Sequence, residues 1–369
     1  MKSIKLIVKT KSKSYPIYFG NNVINLLGLY IKRDLPDVKK ICLIIDLNLP
    51  KAILTKVVNS LNKFQVKIIK VRSNEKNKKL KTANSIIEEL LKNNFNRTDC
   101  VVACGGGIIG DLSAFVANLT KRGLKFVNIP TTLLAQVDAS VGGKTGVNTS
   151  QGKNLIGTYY QPDFILSDVS VLKKLPKREM VAGYGEILKH SLIINKKFFL
   201  WLLKNGEKVV RNKDSKILKK AIIESCKIKS SIVRKDEKEK NLRMILNFGH
   251  TFAHGFEATH NFTRKLNHGE AVLLGMMVAI EFSHKKKLLS FRDLLIIKNH
   301  YYKLQLPMKI SKFFKREKIY KIIEFMKKDK KNINEKINLI LLKQIGKTTD
   351  PTKVIIKADE VKKFLYSYY

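Results

Sequence analysis

Cysteine is scarce in this sequence and offers no pairing pattern: Cys42, Cys100, Cys104 and Cys226 are the four, mostly set in apolar runs, and no two form a C-x-x-C pair. That usage speaks against a disulfide scaffold and suits the reduced thiols of a cytosolic protein. Long apolar runs are also missing. The longest, Ala271 to Ile280, is about half a membrane span and reads as a buried helix. The N-terminal apolar stretch is short and broken by lysine, so no signal peptide is expected and the chain is placed in the cytoplasm, with no membrane partner. Acidic residues are few, 30 against 72 lysines and arginines, a formal net charge of +42. A basic surface binds polyanions without any specific site. Here, however, the lysines are scattered through every segment, Arg-rich blocks are absent, and no helix-turn-helix, RNA-recognition or zinc-finger pattern occurs, so no specific nucleic-acid partner is expected. Lys, Ile and Asn are over-used together, as drift toward A/T-rich codons would produce. The same positive field would serve an anionic small substrate. Internal repeats and low-complexity linkers are absent.

At 369 residues the chain exceeds the size at which one hydrophobic core usually stops growing, so two domains are the default. Residues 1 to 20 alternate apolar and polar, predicting a two-stranded antiparallel entry. Ile41 to Asp46 is an apolar run closed by an acid, the pattern of a buried parallel strand whose carboxyl end meets a ligand. A helix from about Ala52 to Leu61, a strand at Val66 to Val71 and a helix from about Leu80 to Leu91 continue an α/β alternation. The strand Asp99 to Cys104 then runs into Gly105, Gly107 and Gly110, which satisfy G-x-G-x-x-G before an apolar helix ending near Leu119. That context seats a pyrophosphate on backbone amides at a helix N-terminus, or needs the glycines only for a tight turn. The acid expected some twenty residues on is missing, which leaves Asp46 as the ribose candidate. A strand from Phe126 to Ile129 is followed by a stretch dense in glycine and hydroxyls, Pro130 to Asn148, read as a long ligand-binding loop. The end of that stretch resembles a Walker P-loop, but Asp138 occupies the position of its first glycine.

After a strand at Phe164 to Ser167 the composition changes at Pro176, and the pattern stays helical for about 150 residues; Ile337 to Leu342 allows a strand near the end. Two domains are therefore expected, 1–176 and 177–369. Glu186 lies in a helix with Lys189 and His190 close by. His250 and His254 stand four apart, so on a helix they share one face. Such a pair can hold a divalent metal with at least one further ligand, or can be ordinary hydrogen-bonded core histidines. His268 opens the apolar helix that runs to about Phe282.

Taken together and in order, Gly105-Gly106-Gly107 with Gly110-Asp111, Pro130 to Asp138, Val141 to Lys144, Gly152 to Gly157, Leu175 to Glu179, Glu186 with Lys189, Arg243 to His254 and His268 to Val272 resemble the 3-dehydroquinate synthase family over most of the chain. The resemblance implies a Rossmann-like α/β NAD-binding domain followed by a mostly α-helical metal-binding domain. It implies Zn2+ (or Co2+) on Glu186, His250 and His268. It implies NAD contacts from Asp46, Glu75, Lys78, Gly106, Gly107, Asp111, Thr131, Thr132, Lys153 and Asn154. Substrate and catalytic roles would fall to Asp138, Lys144, Lys189, Lys229, Arg243, Asn247 and His254, with Lys330 at the C-terminal side and Arg122 reaching in from a homodimer partner. The implied reaction takes a phosphorylated substrate, 3-deoxy-arabino-heptulosonate 7-phosphate, to 3-dehydroquinate and phosphate in the shikimate pathway. It proceeds by transient oxidation with NAD, β-elimination, re-reduction and aldol closure. Another sugar-phosphate cyclase, or a metal-dependent polyol dehydrogenase of related fold, would share the cofactor and metal sites.

Overall fold

A computed structural model describes residues 3–261, 263, 265–328 and 336–369. The chain divides into two compact units, one of residues 1–176 with 213–237, the other of residues 177–212 with 238–369. In order, the first stretch contains β1 (Ile4–Lys9), β2 (Ser14–Gly20), α1 (Leu27–Asp34), β3 (Lys40–Asp46), α2 (Lys51–Ser60), β4 (Gln65–Val71) and α3 (Leu80–Lys92). It goes on through β5 (Cys100–Gly105), α4 (Gly107–Leu119), β6 (Lys125–Pro130), β7 (Lys144–Thr149), β8 (Gly152–Tyr159) and β9 (Phe164–Asp168). Then come α5 (Lys177–Ile194), α6 (Lys196–Glu207), α7 (Ser215–Lys235), α8 (His250–Thr259), α9 (His268–Lys285), α10 (Phe291–Leu304) and α11 (Lys318–Lys327). Four short strands, β10 (Lys336–Asn338), β11 (Leu342–Gln344), β12 (Lys347–Thr348) and β13 (Ile355–Lys357), precede α12 (Ala358–Tyr366).

The first unit is built on a seven-stranded sheet of order β1-β2-β9-β6-β5-β3-β4. Its strands run parallel except for the antiparallel entry, where Ile4 faces Phe19 and Lys9 faces Ser14. The alternation of side chains explains why β3 reads as an unbroken apolar run. Ile41, Leu43 and Ile45 feed a core on one face with Val57, Leu61 and Val102, while Cys42 and Ile44 feed a core on the other with Ala83, Val101 and Leu112. Helices cover both faces, as parallel sheets require. From β3 the chain adds β4 on one side and then returns to add β5 on the other, so the order reverses between β3 and β5. The carboxyl ends at that reversal are Asp46 and Gly105. Ligands of open α/β sheets bind at such a point.

Two expectations are corrected here. The domain division at 176 would place residues 213–237 in the second domain, whereas α7 packs in the first unit. Asp214 caps it by accepting from the Lys216 and Ile217 amides, its buried stripe runs through Leu218, Ile222, Cys226, Lys229 and Val233, and the Cys226 thiol donates to the Gln136 carbonyl at 3.2 Å. A helical stripe declares that one face is covered but not by what, and here the cover comes from earlier in the chain. The glycine-dense stretch after β6 is not one long loop either. It makes a helical turn at Ala135–Ala139 and then the hairpin β7–β8, with Lys144 opposite Tyr159 and Gly146 opposite Gly157.

The second unit is helical, with its short strands near the end of the chain, where Ile337 to Leu342 is split between β10 and β11. Within it His300 of α10 is buried, its Nε2 2.6 Å from the Tyr184 hydroxyl of α5. Burial pushes the imidazole down from 6.5 to about 4, with the nearby Lys303 charge adding to it. On acidification the unfolded chain takes up this proton near 6.5, while the folded chain refuses it until about pH 4. Stability is therefore full above pH 6.5 and drains away as pH falls through this window, by about 3 kcal/mol from this one group. Urea unfolding between pH 4 and pH 7 should show that dependence in the parent protein, and His300→Gln should remove most of it.

Candidate metal centre and dinucleotide cradle

In the second unit three helices bring one donor each to a common point. Glu186 on α5, His250 at the start of α8 and His268 at the start of α9 hold their ligand atoms within 4.8 Å of one another. Glycines let the helices come this close. A Cβ on Gly269, next to His268, would stand 2.3 Å from Ala182 Cα on α5, and one on Gly249, next to His250, 2.5 Å from Met276 Cγ on α9. Gly249 also has φ +79, which a side chain would resist.

Glu186 is 1% exposed, and neither of its oxygens receives a hydrogen bond of sound geometry. The Lys189 ammonium, 2% exposed, sits in ion-pair contact with Oε2, and His250 Nε2 lies 3.7 Å from Oε1. The two imidazoles are turned the same way. His250 Nδ1 donates to the Phe248 carbonyl at 3.3 Å, and His268 Nδ1 donates to Glu257 Oε2 at 3.0 Å. Their Nε2 atoms are thereby left as acceptors, the form a metal ligand needs. An under-satisfied buried carboxylate beside two such histidines fits a divalent cation, and His2Glu is a donor set of catalytic zinc. His254 shares the α8 face, its ring 5.8 Å from that of His250 and nearly perpendicular to it, but it stays exposed and outside the trio. Arg243, 3% exposed, and Asn247 lie in the turn before α8, where Asn247 Nδ2 donates to Glu239 Oε1 at 2.7 Å.

In the first unit the reversal point carries Gly106 and Gly107 at the N-terminus of α4. A Cβ on Gly106 would approach Thr132 Cγ2 to 3.3 Å, and one on Gly107 would meet Ala139 Cβ at 3.2 Å. Thr131 donates its amide to the Gly105 carbonyl at 2.9 Å, and the Thr132 hydroxyl accepts from the Ala135 amide at 3.2 Å. Bare amides at a helix N-terminus with this small-residue surround fit a pyrophosphate, and Asp46 closes β3 beside them in the sheet order, accepting from the Asn48 amide at 3.0 Å. Near the cradle Lys78, 4% exposed, donates to Asp111 Oδ2 at 2.6 Å and to Asn154 Oδ1 at 2.5 Å. Burial lifts the Asp111 carboxyl above its usual range in spite of that lysine. Burial likewise acts to raise Glu75, but Lys153 at 2.9 Å, a hydrogen bond from Asn148 at 2.8 Å and the Lys78 charge hold it below the ordinary value.

Of the residues expected to meet substrate in this unit, Lys229 of α7 donates to both Asp138 Oδ1 and the Asp138 carbonyl at 2.6 Å. Lys144 is exposed at the start of β7. Arg122 is also exposed, on a turn where Lys121, Arg122 and Gly123 all have positive φ, 52°, 64° and 119°. Lys330 lies outside the described residues. Reasoning from sequence missed Glu257, Glu239 and Asn148. Only Glu257 had a usable signal, being seven residues after His250 and so on the same helical face.

A family model described as 3-dehydroquinate synthase N-terminal matches residues 68–182, and one described as 3-dehydroquinate synthase C-terminal matches residues 183–332. The chain belongs to the 3-dehydroquinate synthase family. A curated member from Pelagibacter ubique (strain HTCC1062), named 3-dehydroquinate synthase, is 53% identical over 343 residues, 93% of each chain. Among solved structures, a 2-deoxy-scyllo-inosose synthase complexed with carbaglucose-6-phosphate, NAD+ and Co2+ is 25% identical with a TM-score of 0.87 over 99% of both chains. The fold is shared as well by a 2-epi-5-epi-valiolone synthase from Streptomyces hygroscopicus subsp. jinggangensis 5008 with NAD+ and Zn2+ bound, at 23% identity, a TM-score of 0.84 and 98% of both chains. No helix among the described residues is long and apolar enough to cross a membrane.

The two histidines of α8 make a separable prediction. His250→Ala should lose bound zinc, read by elemental analysis after dialysis, whereas His254→Ala should keep zinc and lose turnover. Equal metal loss from both would make His254 a ligand.

Proposed function

We propose that this member of the family carries out the family reaction, converting 3-deoxy-arabino-heptulosonate 7-phosphate to 3-dehydroquinate and inorganic phosphate. The observation that carries the reading is the buried Glu186 carboxylate, faced by two histidines whose Nδ1 atoms are already engaged. Glu186, His250 and His268 would hold the divalent cation, zinc or cobalt. Asp46, Glu75, Lys78, Gly106, Gly107, Asp111, Thr131, Thr132, Lys153 and Asn154 would hold NAD. Bound, the cation supplies Lewis-acid polarisation of substrate oxygens, and NAD supplies a hydride acceptor that is restored within each turnover.

The chain's own part is binding, charge compensation and proton movement. The substrate carries a carboxylate and a phosphate, and we assign their recognition to Lys144, Lys189, Lys229 and Arg243, cations whose charge-assisted hydrogen bonds suit both groups. Asp138 keeps the Lys229 ammonium in place through its two 2.6 Å contacts. Asn247, anchored by Glu239 at 2.7 Å, presents a fixed amide for a substrate hydroxyl. Exposed His254 is the group able to take a proton from a hydroxyl and return it to solvent. Arg122 is assigned to a second copy of the chain in a homodimer, a role that its exposed turn of positive-φ residues supports.

Purified protein given the heptulosonate phosphate, catalytic NAD and zinc should release phosphate without net NADH. Steady NADH accumulation would mark a polyol dehydrogenase instead, and no phosphate release with any divalent metal would overturn the proposal.

A further inference from the structure

We infer that Glu257 is the positioning residue of the metal centre, holding His268 in the orientation and tautomer that ligation requires; the inference rests on reading Glu186, His250 and His268 as a metal site. Glu257 lies on the stripe of α8 that also carries His250 and His254, and it is 4% exposed. Its Oε2 stands 3.0 Å from His268 Nδ1. A carboxylate is not buried for packing alone, because removing its charge from water costs several kcal/mol unless a partner answers it. The imidazole that answers it here is the more exposed of the two ligating rings, 38% against 13% for the His250 side chain. Packing alone therefore holds His268 less firmly.

Position in the helix adds an electrostatic reason. His268 is the first residue of α9, preceded by the Asn267 cap, so it stands at the positive end of the helix dipole. A divalent cation is disfavoured at that end, and an imidazole there is a poorer donor. The Glu257 charge opposes both effects and draws the Nδ1 proton toward itself, leaving Nε2 richer in electron density. For His250 the group at Nδ1 is the neutral Phe248 carbonyl at 3.3 Å. Both histidines open their helices, His250 in α8 and His268 in α9, yet they are oriented by unlike groups, and the more exposed of the two has the charged one.

Zinc affinity of the metal-free full chain, measured by competition with a chromophoric chelator, tests this without turnover. Glu257→Gln keeps the side-chain size and removes the charge, and it should weaken zinc binding about 10- to 100-fold. Circular dichroism and the thermal midpoint of the metal-free protein should stay at parent values. In a His268→Ala background the same change should cost less than about twofold, while in a His250→Ala background it should keep its full effect. Unchanged affinity in Glu257→Gln, or an equal loss with and without His268, overturns the inference. Should Glu257→Gln not fold, Glu257→Asp, whose shorter carboxylate falls away from Nδ1, is carried through the same cycle with the same criteria. If neither His250→Ala nor His268→Ala lowers affinity, the metal site itself is refuted and Glu257 loses this role with it. Loss in those two but not in Glu257→Gln refutes the positioning role alone.

Discussion

A carboxylate sealed inside a helical unit is the constraint around which the second half of the chain is arranged. Glu186 is 1% exposed, and isolated burial of its charge would cost far more than any packing gain returns. Lys189, one turn on along α5, offsets part of that cost as an i,i+3 ion pair. One ammonium cannot saturate two oxygens, and Oε1 is left facing His250 Nε2 at 3.7 Å. The neighbouring sequence serves that arrangement. Gly249 and Gly269 remove the Cβ atoms that would push α8 and α9 outward, and the imidazoles have their far nitrogens tied so that the near ones face inward. A core built only for stability would bury an apolar residue at 186.

In the first unit the governing constraint is parity. Because β3 and β5 are covered on both faces, every residue of Ile41 to Ile45 and of Cys100 to Cys104 is apolar or small, and chemistry is possible only where the strands stop. They stop at Asp46 and Gly105, where the sheet order reverses. The polar groups nearby are not loose. Lys78 binds both Asp111 and Asn154, and Glu75 binds both Asn148 and Lys153, so charges proposed to meet a dinucleotide are fixed in advance by partners from other segments. Such preorganisation spares a ligand the entropy of ordering long side chains.

What could be read from the sequence was whatever has a local pattern. Strands β1 and β2 follow from a spacing of two, β3 and β5 from unbroken apolar runs, the common face of His250 and His254 from a spacing of four, and the glycine run after β5 from its strand and helix neighbours. What could not be read depends on segments distant in sequence. The glycines and hydroxyls of Pro130 to Asn148 read as a ligand-binding loop, whereas β7 within that stretch pairs with β8, and the glycines allow close approach, a Cβ on Gly157 standing 2.2 Å from the Thr145 carbonyl. The stripe of α7 is plain, but its packing within the first unit is not. Glu257 falls on the right face of α8, yet its purpose becomes visible only when His268, eleven residues later, is seen to approach it.

The scarcity of acid makes the placement of each buried acid informative. In a chain with 30 acids against 72 basic residues, five acids are buried among the described residues: Asp99, Asp168, Glu186, Glu237 and Glu257. Asp99 accepts from the Lys40 and Asn96 amides, Asp168 from those of Asn22, Ile24 and Ser170, and Glu237 from the Ser12 amide and the Gln161 side chain. Each of these three ties segments of the first unit together, which is a structural use. Glu186 and Glu257 differ in kind, since they lie in the second unit against an ammonium and imidazoles rather than fastening loops. Acid in this protein is thus buried either where the backbone needs a cap or where imidazoles must be held, and only the second use makes sense if a cation is to be bound. The overall positive charge sharpens that contrast, because a general field of +42 would repel a divalent metal from any place where acid had not been concentrated on purpose.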